Sequence, residues 1–176
     1  MSQQAGRYQR SAAGLIGAML VLVVFLVGWV ALRNLTSNDP AGPVRAIEYA
    51  EDAATARTVA DFELLAPQRL PEGWRATSVR FERPPASHWH LGVLTDRDRY
   101  VGLEQGKASV ATMVEEYVDE SADRGQPVDV AGRRWTTYED DGGDLALVRR
   151  EGRTTTLVVG DNVPRARLVS YAASLR

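Results

Sequence analysis

The only histidines in the chain, His88 and His90, stand two residues apart. On a strand that spacing puts both imidazoles on one face. Zinc uses such a pair when a third ligand such as Asp or Glu completes the set, and Glu82, Asp96 and Asp98 lie near enough in sequence to be candidates. The simpler reading is a solvated strand face opposite Trp89 and Leu91, and no metal ligand is assigned. Asp140, Asp141 and Asp144 surround Gly142 and Gly143. Their spacing lacks the alternating ligands and terminal Glu of a calcium loop, whereas Asp and Gly are what a tight hairpin needs for its backbone angles. The segment reads as a turn.

Glu115, Glu116, Asp119 and Glu120 form an acidic stripe. Paired carboxylates do acid–base work when burial splits their pKa values. Next to Val114, Tyr117 and Val118, these four read instead as the wet face of a helix. Arg133, Arg134, Arg149, Arg150 and Arg153 gather in one stretch. They form either a basic patch for lipid phosphate or an acidic partner, or cross-strand pairs with Glu139 and Glu151, the more economical reading. No phosphate loop, dinucleotide glycine fingerprint, nucleophile elbow or zincin motif occurs. A Ser-His-Asp constellation assembles in space, and nothing in the sequence points to one. No catalytic residue and no cofactor is assigned.

The elements that would position these groups follow from periodicity. Arg75–Glu82 alternates Thr77, Val79 and Phe81 with Ser78, Arg80 and Glu82, the signature of a half-buried strand. Pro84 and Pro85 break it. Residues 88–95 and 100–105 read as two more strands joined by a turn at 96–99. Residues 109–122 switch period, with Val110, Met113, Val114, Tyr117 and Val118 on one helical face. A short segment at Val128–Val130 follows. Three further strands are expected at 133–139, 144–150 and 154–160, separated by turns at 140–143 and 151–153. A second amphipathic helix spans 165–175, with Leu168, Tyr171, Ala172 and Leu175 on one face. Residues 44–57, rich in Ala and Glu, read as a helix beginning near Pro43. The expected class is α+β: a curved antiparallel sheet of two three-stranded meanders, each followed by a helix, with the helices on one face.

Charge divides the chain. It has 176 residues, with 21 basic and 23 acidic side chains, a net charge of −2. That balance excludes a strongly basic nucleic-acid binder, and the 44% hydrophobic content excludes a wholly disordered chain. The absence of Cys excludes a disulfide scaffold and a thiol enzyme. Residues 11–32 carry no charge, and roughly 20 apolar residues span a bilayer core as a helix. The apolar run is too long for a cleaved leader, and no small-x-small site follows it before Arg33. The expected organisation is a cytoplasmic tail at 1–10, a membrane helix at 11–32, a stalk at 33–43 and a soluble α+β domain at 44–176. Arg7 and Arg10 precede the helix, which favours a cytoplasmic N-terminus and a C-terminal domain outside. Ala13 with Gly17, and Gly14 with Ala18, are spacings that allow two such helices to pair as a homodimer.

The segments at 3–19, 70–81 (LPEGWRATSVRF), 91–105 (LGVLTDRDRYVGLEQ), 114–120 (VEEYVDE) and 138–148 (YEDDGGDLALV) together resemble an actinobacterial membrane family, domain of unknown function 4245. The resemblance implies a single-pass membrane protein and carries no activity or site residues. The LPEGW turn ahead of three strands is also similar to envelope domains related to lipoprotein carriers and anti-sigma-factor regulators. The functional expectation is a membrane-anchored envelope protein whose domain is a non-catalytic binding module for an envelope protein or lipid. The alternatives are a carrier or sensor holding a lipid or other apolar ligand between sheet and helices, and a metal-dependent or other hydrolase.

Overall fold

The computed structural model describes residues 45–176. The tail, membrane helix and stalk expected at 1–43 lie outside the described residues. Among the described residues no helix is long and apolar enough to cross a membrane. The elements in chain order are α1 (Ala50–Val59), β1 (Arg75–Glu82), β2 (His88–Leu94), β3 (Tyr100–Gly106), α2 (Val110–Tyr117), β4 (Asp123–Arg124), β5 (Val128–Val130), β6 (Arg133–Glu139), β7 (Asp144–Glu151), β8 (Thr154–Asp161) and α3 (Arg165–Ala173).

Every strand pairing is antiparallel. The sheet order is β1-β2-β3-β8-β7-β6-β4, with β5 also paired to β6. The two expected meanders are therefore present, and their third strands, β3 and β8, join them at the centre. Tight turns close the hairpins. Thr95 Oγ1 accepts the Arg97 and Arg99 N–H groups in the β2–β3 turn. Asp140 Oδ1 accepts the Asp144 N–H at 2.7 Å in the β6–β7 turn, where Gly143 takes φ +98°. That Asp-Gly segment is a turn.

Alternation along the strands sorts the core into two layers. Leu91, Val93, Val101, Leu103, Leu145, Leu147 and Val158 face one way, packed with Trp74, Trp89 and Trp135 and with Ala53 and Ala56 of α1 and Leu168 and Tyr171 of α3. Ala146, Val148, Leu157 and Val159 face the other way, under Met113 and Val114 of α2. The helices thus lie on both faces, not on one as the sequence suggests. The cause is the central strands: β7 and β8 are apolar at consecutive positions, and strands buried on both faces need a cover on both.

Two helix boundaries also differ. The first helix starts at Ala50 rather than near Pro43, because Ile47 N–H bonds the Ala76 carbonyl at 3.0 Å and holds 45–49 along the edge of β1. The helix expected over 109–122 stops at Tyr117. Ser109 caps its start by accepting the Thr112 N–H. At its end Val118 leaves helical geometry (φ −123°, ψ −84°), and Asp119 Oδ1 bonds Ser121 N–H instead, the usual competition of Asp with the helical ladder.

Gln105 ties the segment before β1 to the sheet. Its Oε1 accepts the Leu65 N–H, and its Nε2 donates to the Glu63 carbonyl and to Thr156 Oγ1. Gln105→Met keeps the volume and orphans those backbone groups, so it should cost about 1–3 kcal/mol. Urea unfolding monitored by tryptophan fluorescence measures it.

Candidate functional site

Two places bring reactive or charged groups together, one on each face of the sheet. The first grows from a single bulge in β1. Ala76 pairs with Val93 and Ser78 with Gly92, and the register slips between them. Thr77 is the extra residue, so Ala76 and Ser78, two apart, point to opposite faces. Ser78, Arg80 and Glu82 therefore share a face with His88, His90 and Gly92 of β2 and with Gly102 and Glu104 of β3.

On that face His90 sits between two partners. Its Nδ1 lies 2.6 Å from Glu104 Oε1 and its Nε2 lies 2.8 Å from Ser78 Oγ. Glu104 is 2% exposed. Its second oxygen stands 3.2 Å from His88 Nε2 without the alignment of a hydrogen bond. The Tyr117 hydroxyl reaches the same nitrogen at 3.3 Å, and the two rings stack. Burial works against the charge on Glu104, but the His90 hydrogen bond and the nearby His88 imidazole outweigh it and hold the carboxyl below its ordinary range. Burial, with Glu104 nearby, pushes the Tyr100 phenol up to about 12, and burial with Glu116 and Glu104 raises Tyr117 as well.

Gly92 makes room for the cluster. A Cβ there would lie 2.2 Å from Ser78 Oγ, 3.2 Å from the Tyr100 ring and 3.3 Å from His90 Nε2. A glycine in mid-strand costs roughly 0.5–1 kcal/mol relative to alanine, and here it is the condition for the Ser78–His90 hydrogen bond.

The histidines share a strand face as their spacing requires, and that face is solvated at Arg80 and Glu82 but half-buried at His88 and His90. Of the sequence's zinc candidates, Glu82 stands opposite His88 on the same face, while Asp96 bonds Arg167 at 2.7 Å and Asp98 pairs with Arg75. Both nitrogens of His90 are engaged, and among the described residues no group of three His, Asp or Glu side chains is arranged to hold a metal. The carboxylate that matters is Glu104. Its signal was in the hairpin, because a β2–β3 turn that sets Leu94 opposite Tyr100 must also set His90 opposite Glu104.

The second place lies between the sheet and α3. A cleft of about 300 Å³ is lined by Leu65, Val130, Trp135, Ala172 and Leu175, with Arg133, Arg149, Arg176 and Glu63 among them. Arg149 is 8% exposed. Its guanidinium lies 5.3 Å from the centre of the Trp135 ring, and it pairs with Glu151, while its Nε has no acceptor. Burial, with Arg133 nearby, lowers the Arg149 pKa against the pull of Glu151 and Glu63.

The sequence cluster of arginines therefore splits. Arg149 pairs with Glu151, two residues along its own strand rather than across the sheet, and adjacent residues on a strand point apart. Arg150 thus bonds Thr155 and the Ala108 carbonyl on the other face. Glu139 pairs with Arg165 of α3, not with an arginine of its own meander. In the acidic stripe Glu115 and Glu116 are exposed, and Asp119 serves the turn after α2.

These features define an α+β sheet domain, with a half-buried carboxylate–imidazole network on one face and a cleft of mixed polar and apolar lining, holding a buried arginine, on the other. Residues 7–175 match the family model described as a protein of unknown function (DUF4245), and the chain belongs to that family. No curated protein matches the sequence.

Because the Glu104 pKa is depressed by folding, its carboxylate stabilises the fold above its unfolded value of about 4.3, and the contribution is lost as pH falls through the lower folded value. Glu104→Gln should cost about 1–3 kcal/mol at pH 7, with the deficit shrinking by pH 3. Denaturant titrations of both proteins at the two pH values test this.

Proposed function

We propose that this is a membrane-anchored envelope protein whose domain binds a small amphiphilic anion, a carboxylate on an apolar body, in the cleft between β5–β7 and α3. The anchor is the uncharged segment at 11–32, and the charges flanking it favour a domain outside the cytoplasm. The observation that carries the reading is Arg149, a buried cation with its Nε unpartnered, in a cleft where Arg133 and Arg176 stand beside apolar Leu65, Val130 and Trp135.

A buried charge needs partners, and Glu151, whose side chain is 56% exposed, supplies only one. A carboxylate entering the cleft would bring acceptors matched to the guanidinium fork, while Leu65, Val130 and Trp135 would take its apolar portion. The volume sits at the small end of the usual range for ligand sites, about 300–1,000 Å³, so the ligand is small.

Octanoate is a direct probe. Titrated calorimetrically into full-length protein in zwitterionic nanodiscs, with empty discs as the blank, it should bind at least tenfold more tightly than 1-octanol. Arg149→Met should remove that preference and leave the melting transition in place. Equal affinities for acid and alcohol, or an unchanged preference in the variant, would sink the proposal. A periplasm-active reporter fused after Arg176 should be active, and a cytoplasm-active reporter at the same position silent.

A further inference from the structure

We propose that Ser78 is a nucleophile toward carboxylic esters, with His90 as its general base and Glu104 as the positioning residue that fixes the imidazole. This goes beyond the binding role and stands on the opposite face of the sheet from the Arg149 cleft. The connectivity is that of a serine–histidine–carboxylate relay: Ser78 Oγ to His90 Nε2 at 2.8 Å, and His90 Nδ1 to Glu104 Oε1 at 2.6 Å.

The proton positions follow from the partners. An ionised carboxylate only accepts, so Nδ1 carries the hydrogen that bonds Glu104. In the neutral imidazole Nε2 is then the acceptor, and Ser78 Oγ–H donates to it. That is the tautomer a base needs. Glu104 is sealed from water at 2% exposure, which strengthens its hold on the ring.

The nucleophile, in contrast, is reachable. Ser78 is half-buried on β1, the edge strand of the sheet, and α2 packs over β7 and β8 rather than over β1. Two mid-sheet glycines, Gly92 and Gly102, stand directly opposite each other beneath this site. The bulge in β1 is what turns Ser78 onto the histidine face. The charged and titratable groups around His90 are Arg80 and Glu82 from β1, His88 from β2, Tyr100 from β3, and Tyr117 and Glu116 from α2.

In the first step Ser78 Oγ bonds to the ester carbonyl carbon and its proton passes to His90 Nε2. The carbon–oxygen bond to the alcohol then breaks, and His90 returns the proton to the leaving alkoxide. Water completes the cycle by the same route, releasing the acid and restoring the Ser78 hydroxyl.

A fluorophosphonate ester tests the nucleophile in full-length protein. Oγ displaces fluoride from phosphorus and its proton goes to His90. The expected result is one adduct on the peptide containing Ser78, absent in Ser78→Ala. In Glu104→Gln labelling should slow at least tenfold, and Glu104→Asp, which keeps a carboxylate for the imidazole, should restore part of the rate.

The chain has no cysteine, which gives a second measurement free of substrate fit. At pH 6 iodoacetamide should alkylate Ser78→Cys at least tenfold faster than Ser170→Cys, which places a thiol at an exposed position of α3, because a neighbouring imidazole favours the thiolate. Absence of an adduct at Ser78 in folded protein overturns the assignment, and so do equal alkylation rates for the two cysteine variants.

Discussion

The pairing of β3 with β8 is the constraint on which the rest of the domain depends. It runs from Val101 opposite Gly160 to Gly106 opposite Thr155 and joins two meanders that are otherwise far apart in sequence. Every long-range feature is set from it. β2 and β1 extend one side, and β7 and β6 extend the other. Antiparallel strands at the centre of such an arrangement are related by a local two-fold axis perpendicular to the sheet, and that operation keeps each face on its own side. Two copies of one strand-and-helix unit would therefore place both following helices on the same face.

They do not lie there. α2 covers Ala146, Val148, Leu157 and Val159, while α3 packs with the opposite layer around Trp74 and Tyr171. The strand order obeys the pseudo-symmetry and the helices break it. The functional consequence is specific. α2 packs over the half of the sheet formed by the second meander and reaches the β1–β3 part of that face only through Tyr117 on His88. Ser78, His90 and Glu104 occupy that part, and Glu104 sits at its border, next to Leu157 in register. Its burial comes from being the last polar residue before the covered half begins.

The same physics explains what was legible in the sequence. β1 and β6 have the bounds that the sequence predicts, because each keeps one partly exposed face and alternates over most of its length. The covering of both faces had a signal too: Leu145–Val148 and Leu157–Val159 are apolar without interruption, the pattern of strands buried twice. A helical stripe says only that one side of the helix is covered, not which side of the sheet it covers. α2 was over-extended because Val118 continues the apolar period, and periodicity does not register that Asp119 prefers its own turn. The sequence paired His88 and His90 by spacing but not with Glu104, fourteen residues beyond His90. Only a strand register makes those two neighbours, and the bulge that brings Ser78 to them leaves no mark in a pattern of residue types. The arginines failed in the opposite sense, since closeness in sequence placed Arg149 and Arg150 together and the strand sent them apart.

Glu104 and Arg149 share a property that bears on why the domain holds them. Each is a buried charge on one of the last well-covered positions of its face, and each keeps an atom without a hydrogen-bond partner. Replacing a whole buried ion pair by well-packed apolar residues of similar volume is often neutral or stabilising by about 1–4 kcal/mol, whereas removing one partner alone leaves the other uncompensated. A leucine at 104 would strand His90, and one at 149 would strand Glu151. Stability explains why each group keeps its partner, not why the pair is there. What each does that a leucine could not is orient something: Glu104 fixes an imidazole whose other nitrogen meets a serine, and Arg149 presents a guanidinium to a cleft. The buried carboxylate and the buried guanidinium stand on opposite faces, separated by the thickness of one sheet, and that separation lets each keep its own partners in so small a domain.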